Sequence, residues 1–234
     1  MPHDPAQVPS LRPLIGEARL AHYLERYNGN EALALRLYMW NLELSSAFWG
    51  PLSLLEVALR NQLQGSLRPH TLGGAWLESH LCTRERVALD RALLDLERSG
   101  IDEPTDDDLV ASLSLGFWVG LLTPGQPRDR DLNYETVLWR PYLSTAFPHM
   151  PAEMGSYPSR RRLHAELDTI RKFRNRIAHH EPVWRGNHRQ MLDLIVAVAG
   201  YMDADMAAFL ESTHRVDEVI GRMRVAVADG VCVI

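Results

Sequence analysis

The sequence lacks the features that mark membrane or disulfide-stabilised proteins. Only two cysteines occur in 234 residues, Cys82 and Cys232, and neither belongs to a zinc or redox spacing. The longest apolar run, residues 192–199, contains Asp193 and is far too short to cross a bilayer. No positively charged and then apolar targeting pattern opens the chain. We therefore expect a cytoplasmic protein with no membrane partner.

Strand patterns are also absent. No stretch alternates apolar and polar residues, and we find no internal repeat or low-complexity tract. The apolar residues recur at helical spacing instead, between turn-forming Gly, Pro and Asn, which predicts an all-α protein. We expect one helical domain over residues 17–229, between a flexible N-terminal segment (1–16) and a C-terminal tail (230–234). Helices are predicted over residues 17–28, 31–49, 51–67, 83–98, 113–122, 188–210 and 213–228, with a short pair or a kinked helix over 134–147.

The charge is unevenly distributed. The composition is that of an ordinary globular protein, 46% apolar and 24% charged, with a net charge of −5. Residues 158–190, however, contain nine Lys or Arg, four His and only three Asp or Glu. A basic patch on an acidic body suits an anionic partner bound at one face, such as RNA. A solvated helix face rich in arginine is the alternative.

That basic stretch forms a further predicted helix, which Ser159 caps and Pro182 stops. Its apolar residues have the spacing of a core-facing stripe. With Arg174 set at zero and about 100° per residue, Arg171 falls near 60°, Asn175 near 100° and His179 near 140°, so they share one arc. The stripe consists of Leu163, Leu167, Ile170, Phe173 and Ile177.

A fixed cation, an amide and a titratable base on one arc suit phosphodiester chemistry. RNA carries its own nucleophile, the 2′-hydroxyl, so an enzyme without metal must only move protons and stabilise charge on the phosphoryl oxygens. His179 is suited to the first task and Arg174 to the second. Arg and His near a helix C-terminus also simply cap carbonyls, and spacing alone leaves both interpretations open.

Other polar clusters are less informative. Glu56, Arg60 and Asn61 lie on the helix predicted over 51–67, where Glu56 and Arg60 have the spacing of a helical ion pair. The three arginines at 160–162 lie in the first turn of a predicted helix, where the helix dipole disfavours cations. We therefore expect them to serve another purpose, and both RNA binding and surface salt bridges are open. Asp106, Asp107 and Asp108 match a helix N-terminus better than a calcium loop. No metal or cofactor site is predicted.

One motif and four supporting blocks of the sequence carry a family resemblance. The motif is Arg174-Asn175-x-x-x-His179. The supporting blocks are Leu-Tyr-Met-Trp-Asn-Leu (37–42), Leu-Glu-Val-Ala-Leu-Arg-Asn (55–61), Gly-Phe-Trp-Val-Gly-Leu-Leu (116–122) and His-His-Glu-Pro (179–182). Together they resemble the Abi-like (abortive infection) proteins of the HEPN superfamily, whose R-x4-6-H motif has this as one form.

The resemblance implies a HEPN-type helical bundle with additional helices, which pairs as a homodimer with two motifs facing one cleft. It further implies metal-independent RNA cleavage by a toxin or anti-phage effector, held in check by a possible antitoxin (protein or RNA). Arg174 would bind the scissile phosphate, Asn175 would orient the site, and His179 would act as general acid or base. Arg171, His180, Glu56, Arg60 and Asn61 would bind RNA or support the site.

The sequence departs from the family pattern at one position. Two functions other than RNA cleavage also stay open. Many relatives carry a tyrosine two residues after the histidine, where this chain has Glu181, so regulation through that tyrosine is excluded. A non-catalytic module that binds RNA or a nucleotide is the first alternative to a ribonuclease. A helical interaction protein, in which Arg174 and His179 only secure a dimer, is the second.

Overall fold

The chain folds into helices, as the apolar spacing predicts. The structure is a computed structural model that describes residues 4–68, 70–151 and 159–233. In those ranges the only β-type pairing is an isolated bridge between Gly125 and Asn133. The all-α prediction is confirmed. None of the described helices combines the length and the apolar character that a bilayer span requires.

The helices differ widely in length, from single turns to ten turns. In the part of the chain that the structure describes, three short helices of 3-10 or π type cover Pro5–Gln7, Glu135–Trp139 and Leu143–Ala146. The α-helices of the described residues are α1 (Leu11–Ile15), α2 (Glu17–Arg26), α3 (Glu31–Ser66), α4 (Ala75–His80), α5 (Thr83–Arg98), α6 (Asp106–Ser112), α7 (Leu115–Gly120), α8 (Arg160–Ala178), α9 (His188–Met202), α10 (Ala204–Thr213) and α11 (Val216–Asp229).

The chain divides into two compact units, each made of separate segments. The first unit comprises Met1–Leu52, Lys172–Asp193 and Leu210–Ile234. The second comprises Ser53–Arg171 and Leu194–Phe209. The residues of α3, α8, α9 and α10 are therefore shared between the units. The expectation of one domain over residues 17–229 stays a prediction.

The core of the first unit centres on the N-terminal half of α3. Phe48 packs edge-on against Phe173, with ring centroids 4.8 Å apart. The buried indole of Trp40 donates its Nε1–H to the carbonyl oxygen of Val219, 2.9 Å away, which joins α3 to α11. Because both contacts are fully or largely buried, they fix the helices that carry the candidate site.

The N-terminal segment also contributes to the first unit. Within the expected flexible segment 1–16, the described residues form one short helix and α1. Asp4 accepts hydrogen bonds from the guanidinium of Arg36 on α3. Residues 1–3, and residue 234 of the expected tail, lie outside the described ranges.

The second unit contains a buried carboxylate. Glu85 on α5 is 4% exposed and accepts a hydrogen bond from the Tyr134 hydroxyl, 3.1 Å away. That hydroxyl in turn accepts the backbone N–H of Cys82 at 2.7 Å. A Cβ at Gly120 would lie 2.5 Å from Glu85 Oε1, so only glycine admits α7 this close to the carboxylate. Burial, with the neighbouring Cys82 and Glu85, raises the pKa of Tyr134.

The predicted helix boundaries are wrong in three places. Gly50 and Pro51 do not separate two helices, because α3 continues through them to Ser66. Proline removes one hydrogen bond and costs about 3 kcal/mol inside a helix, but Phe48, Leu52 and Leu55 on either side are buried and hold the helix in place.

The helix predicted over 188–210 is also wrong, since α9 ends at Met202 and α10 begins at Ala204. The carboxylate of Asp203 accepts the N–H of Met206 at 2.7 Å and caps the new helix. The stretch 113–122 is likewise shorter than predicted, because Leu113 and Ser114 are extended and α7 begins only at Leu115.

Candidate functional site

The motif lies at the C-terminal end of α8, beside the buried stripe. All five stripe residues are at most 8% exposed, so the predicted core face is confirmed. Arg174, Asn175 and Ala178 on the neighbouring arc are half-buried, and His179 is exposed. The helix therefore places the polar residues at the edge between core and surface, within reach of a ligand.

Backbone geometry ends α8 before Pro182 does. His180 adopts the left-handed conformation, with φ of 55°. Its N–H donates to Ile177 O at 3.0 Å, and the N–H of Glu181 donates to Arg176 O at 2.8 Å. These two bonds form a Schellman motif. His179 is thus the residue that follows the last helical one, and its N–H still bonds to Asn175 O at 2.9 Å.

Two other arginines satisfy carbonyls at this helix end. Arg19 on α2 donates to the carbonyl oxygens of His179 and His180. Arg176 donates to Pro182 O and lies 3.7 Å from the carboxylate of Glu181. Arg19 and Arg176 thus bind carbonyl oxygens at this helix end and in the loop after it, and nothing in the sequence pattern identified Arg19.

Arg174 stacks on an aromatic ring. Its guanidinium carbon lies 5.4 Å from the centroid of Trp49 on α3, a cation–π distance. Trp49 is 43% exposed, whereas its neighbours Ala47 and Phe48 are buried. The ring thus supports one face of a guanidinium near the surface.

A hollow of about 510 Å³ opens beside this pair, which we name the Trp49 hollow. Its volume is within the range of small-molecule sites, roughly 300–1,000 Å³. The Ser45 hydroxyl at its edge donates to Asn41 O at 2.8 Å, which leaves its oxygen able to accept. The hollow is lined by Leu42, Ser45, Ser46, Trp49, Gly50, Ile177, Ala178 and His180.

A buried asparagine holds the loop that follows the motif. Asn41 on α3 is 2% exposed, and its Oδ1 accepts the N–H of Val183 at 2.8 Å and that of Trp184 at 3.0 Å. His188 Nε2 lies 2.8 Å from Val183 O. In the sequence, Asn41 stands out only as part of the block 37–42. Its carboxamide lies among the apolar positions of a helix, and a buried carboxamide needs hydrogen-bond partners, so this position was the signal for a structural role.

A neutral phenol on α2, that of Tyr23, lies in the core. Tyr23 is fully buried, and its hydroxyl has no hydrogen-bond partner among the described residues. Burial and the neighbouring Tyr38 raise the pKa of Tyr23, while Arg19 and Arg176 oppose the shift. The phenol therefore stays protonated at neutral pH and adds no charge to the first unit.

Most other predicted cations have partners within their own unit. Arg171 pairs with Asp168 at 2.6 Å. Arg160 contacts Glu135 at 2.8 Å and Leu122 O at 2.6 Å. Arg162 contacts Glu166 and the Tyr201 hydroxyl, both at 2.9 Å. For Arg160 and Arg162 the structure therefore favours salt bridges over RNA binding, the two interpretations that the sequence leaves open.

The predicted support residues Glu56, Arg60 and Asn61 belong to the second unit. Arg60 and Asn61 line a separate hollow of about 640 Å³, together with Gln64, Arg68 and Asp107. The Arg60 guanidinium lies 3.4 Å from the carbonyl oxygens of Val110 and Ala111. Their role in the site stays a prediction.

The three aspartates at 106–108 form a helix start. Thr105 and Asp108 make a reciprocal capping box, in which the Asp108 N–H donates to Thr105 Oγ1 and the Thr105 N–H donates to Asp108 Oδ2. Over residues 4–68, 70–151 and 159–233, no group of three or more His, Cys, Asp or Glu has the arrangement of a metal site.

Comparison with known proteins gave no matching family profile, curated protein or solved structure. The function therefore has to be inferred from the residues of the site.

Proposed function

We propose that the chain is a metal-independent endoribonuclease of the Abi-like, HEPN type, acting in the cytoplasm as a toxin or abortive-infection effector. The observation that carries the proposal is the end of α8, where Arg174, Asn175 and His179 lie at the edge of the core. A guanidinium stacked on Trp49 and an exposed imidazole at the same helix end are suited to the two tasks of RNA cleavage, charge stabilisation and proton transfer.

The proposed reaction is an internal transesterification. A base removes the proton of the ribose 2′-hydroxyl, and the 2′-oxygen forms a bond to phosphorus. The bond from phosphorus to the 5′-oxygen breaks, and an acid protonates that oxygen. The products are a 2′,3′-cyclic phosphate and a 5′-hydroxyl, so no water or external reductant or oxidant is consumed.

Each residue has one task in this scheme. Arg174 binds the phosphoryl oxygens and stabilises the charge that develops on them. His179 transfers the proton, as base or as acid. The half-buried side chain of Asn175 orients the site. Its backbone carbonyl oxygen also accepts the N–H of His179.

A homodimer completes the proposed enzyme. In the arrangement that the family resemblance implies, two motifs face one cleft, so one His179 takes a proton while that of the second copy supplies one. Such an enzyme would harm its own cell unless restrained, so an inhibitory antitoxin, either protein or RNA, is the expected partner besides the RNA substrate.

The test is cleavage of total cellular RNA by the purified protein with and without EDTA. We expect chelator-resistant cleavage that leaves cyclic phosphate ends. His179→Ala should lower the rate by about 10²–10⁴-fold and Arg174→Ala by about 10²–10³-fold, with unchanged circular dichroism and melting temperature.

Two matched controls separate the motif from general effects. His22 is an exposed histidine on α2, and Arg26 stacks over the Tyr27 ring at 5.5 Å, as Arg174 does on Trp49. His22→Ala and Arg26→Ala should cleave at the wild-type rate. Cleavage that survives both motif substitutions would refute the proposal.

A non-catalytic module that binds RNA or a nucleotide is the second candidate. The exposure of Trp49 beside Arg174 favours it, because stacking and charge are sufficient for binding without proton transfer. In that case Arg174→Ala weakens RNA binding, and no preparation of the wild-type protein cuts RNA.

A further inference from the structure

Trp49 is a large aromatic side chain that is only partly buried in the first unit. It is 43% exposed, although Phe48 next to it is fully buried. Adjacent residues on a helix point about 100° apart, so one can pack inward while the other faces the surface. The cleavage scheme above gives the Trp49 ring no task beyond its contact with Arg174.

The Trp49 hollow has the composition of a site for a flat ring with polar edges. Leu42, Ile177 and Ala178 supply apolar surface. Ser45, the exposed Ser46 and His180 supply hydroxyls and an imidazole that can bond to ring nitrogens and exocyclic groups. Mostly apolar walls with a few polar groups are typical of sites that bind a small aromatic ligand.

The charge next to the hollow identifies the kind of molecule that carries the ring. The Arg174 guanidinium lies 5.4 Å from the Trp49 centroid, so a phosphate bound by Arg174 would be within one nucleotide of a base stacked on Trp49. A stacked base and a neighbouring phosphate are the two halves of a nucleotide in a strand.

We propose that the Trp49 hollow binds one base of an unpaired nucleotide that adjoins the phosphate held by Arg174, and that the substrate is therefore single-stranded or looped RNA. This inference rests on the proposed function, since it takes the Arg174 phosphate as the scissile one. A paired base is stacked between its neighbours and cannot lie flat on the Trp49 ring, so duplex RNA is excluded.

The first experiment measures binding without cleavage. A fluorescein-labelled single-stranded oligonucleotide carries 2′-O-methyl groups throughout, which remove the nucleophile. Trp49→Ala should weaken its binding by roughly 5- to 150-fold, the usual range for one stacked base. Trp49→Phe keeps an aromatic face and should bind within a few-fold of wild type, and the matched duplex should bind more weakly than the single strand.

Phe209 provides the control for surface aromatics. It is 57% exposed and lies in the second unit, so Phe209→Ala should bind the oligonucleotide as the wild type does. Equal losses in Phe209→Ala and Trp49→Ala would mean that the effect is not specific to the hollow and would overturn the inference.

The second experiment separates stacking from displacement of Arg174. A series of the same oligonucleotide carries one abasic position each. At one position the abasic change should weaken binding to the wild type as much as Trp49→Ala does, and should add nothing in Trp49→Ala. If Trp49→Ala weakens all members of the series by the same factor, the ring only holds Arg174 and the inference fails.

The remaining outcomes distinguish this inference from the proposed function. Binding that depends on Trp49 in a protein that never cuts RNA would refute the ribonuclease and support the base site. Cleavage and binding that are both unchanged in Trp49→Ala would refute the base site alone. A shift from dimer to monomer in Trp49→Ala, measured by sedimentation equilibrium, would show that a second copy covers the hollow and would overturn the inference.

Discussion

At the scale of single residues, the candidate site depends on three helices that bring unlike side chains together. The sequence predicts Arg174, Asn175 and His179 because they are close along one helix and share an arc. It predicts neither the stacking on Trp49 nor the bonds from Arg19, because those partners are more than 100 residues away along the chain. Helical periodicity carries no information about which distant element packs against a given face.

Replacing Arg174 by lysine tests whether the site needs a planar guanidinium group or only a positive charge. Lysine keeps the charge but cannot bind two phosphoryl oxygens in parallel. Losing one charge-assisted hydrogen bond of about 1.5–3 kcal/mol should slow cleavage by roughly 10- to 150-fold. Initial rates on a fixed RNA substrate measure this, with Arg26→Lys as the unaffected control. Equal rates for Arg174→Lys and wild type would show that charge alone suffices.

Removing the Asn41 side chain should loosen the loop behind the motif. In Asn41→Ala the N–H groups of Val183 and Trp184 lose their buried acceptor, which should lower the free energy of unfolding by about 2–4 kcal/mol. Urea denaturation followed by circular dichroism measures the change. Gln62→Ala, at an exposed amide on the same helix, should stay within about 0.5 kcal/mol of wild type. A similar small change in Asn41→Ala would contradict the role assigned to it.

At the scale of helices, the sequence predicts where apolar periods run but not always where they stop. The start of α3 at Glu31 is readable because Asn30 caps it, and its Oδ1 accepts the Leu33 N–H at 3.1 Å. The continuation of α3 through Pro51 cannot be predicted from the sequence, because it depends on the burial of side chains on both sides of the proline. The end of α8 depends on a left-handed residue, His180, a position where glycine is the usual signal.

Two glycines of α11 should respond in opposite ways to alanine. Gly221 lies inside the helix with no atom within 4 Å of an added Cβ, so Gly221→Ala should stabilise the protein by about 0.5–1 kcal/mol. Gly230 ends the helix with φ of 73°, and an added Cβ would lie 2.5 Å from Asp4 Oδ1. Gly230→Ala should therefore destabilise it by more than about 1 kcal/mol.

Thermal melts of both glycine variants beside the wild type check these signs. The same sign for both variants would show that backbone conformation does not control these two positions.

At the scale of the whole molecule, apolar spacing predicts the helical class and a count along the chain predicts the uneven charge, but neither predicts how many of those charges pair with other side chains. Arg189, in the basic stretch, lies 2.8 Å from both Asp193 and Glu211 and also pairs with Asp217. Arg185 faces Glu25 at 3.7 Å. The positive charge of the stretch is therefore partly neutralised by carboxylates outside the stretch, on α9 itself and on three other helices, which a count along the sequence cannot show.

The ion pair between Asp4 and Arg36 should make stability depend on pH in the acid range. The Arg36 guanidinium lowers the pKa of the Asp4 carboxyl below its ordinary value of 3.8, with help from the Ala6 N–H. Because the unfolded chain then binds a proton more readily than the folded one, the contribution is complete above pH 3.8 and is lost as the pH falls through the folded-state pKa.

Melting temperatures of wild type and Asp4→Asn over a pH series measure this contribution. The difference between them should be largest at neutral pH and shrink below pH 3.8. Asp90→Asn, at an exposed carboxylate on α5, is the control for the loss of one surface charge. A difference between wild type and Asp4→Asn that does not change with pH would show that the pair contributes no proton-linked stability.

The division of the first unit into three segments affects how the protein is made. Leu210–Ile234 belongs to the same unit as the motif, and the Trp40 indole bonds to Val219 within that last segment. A nascent chain that has been synthesised only as far as residue 209 already contains Arg174 and His179 but lacks part of the core beneath them. The native surroundings of the motif can therefore form only after α11 has left the ribosome.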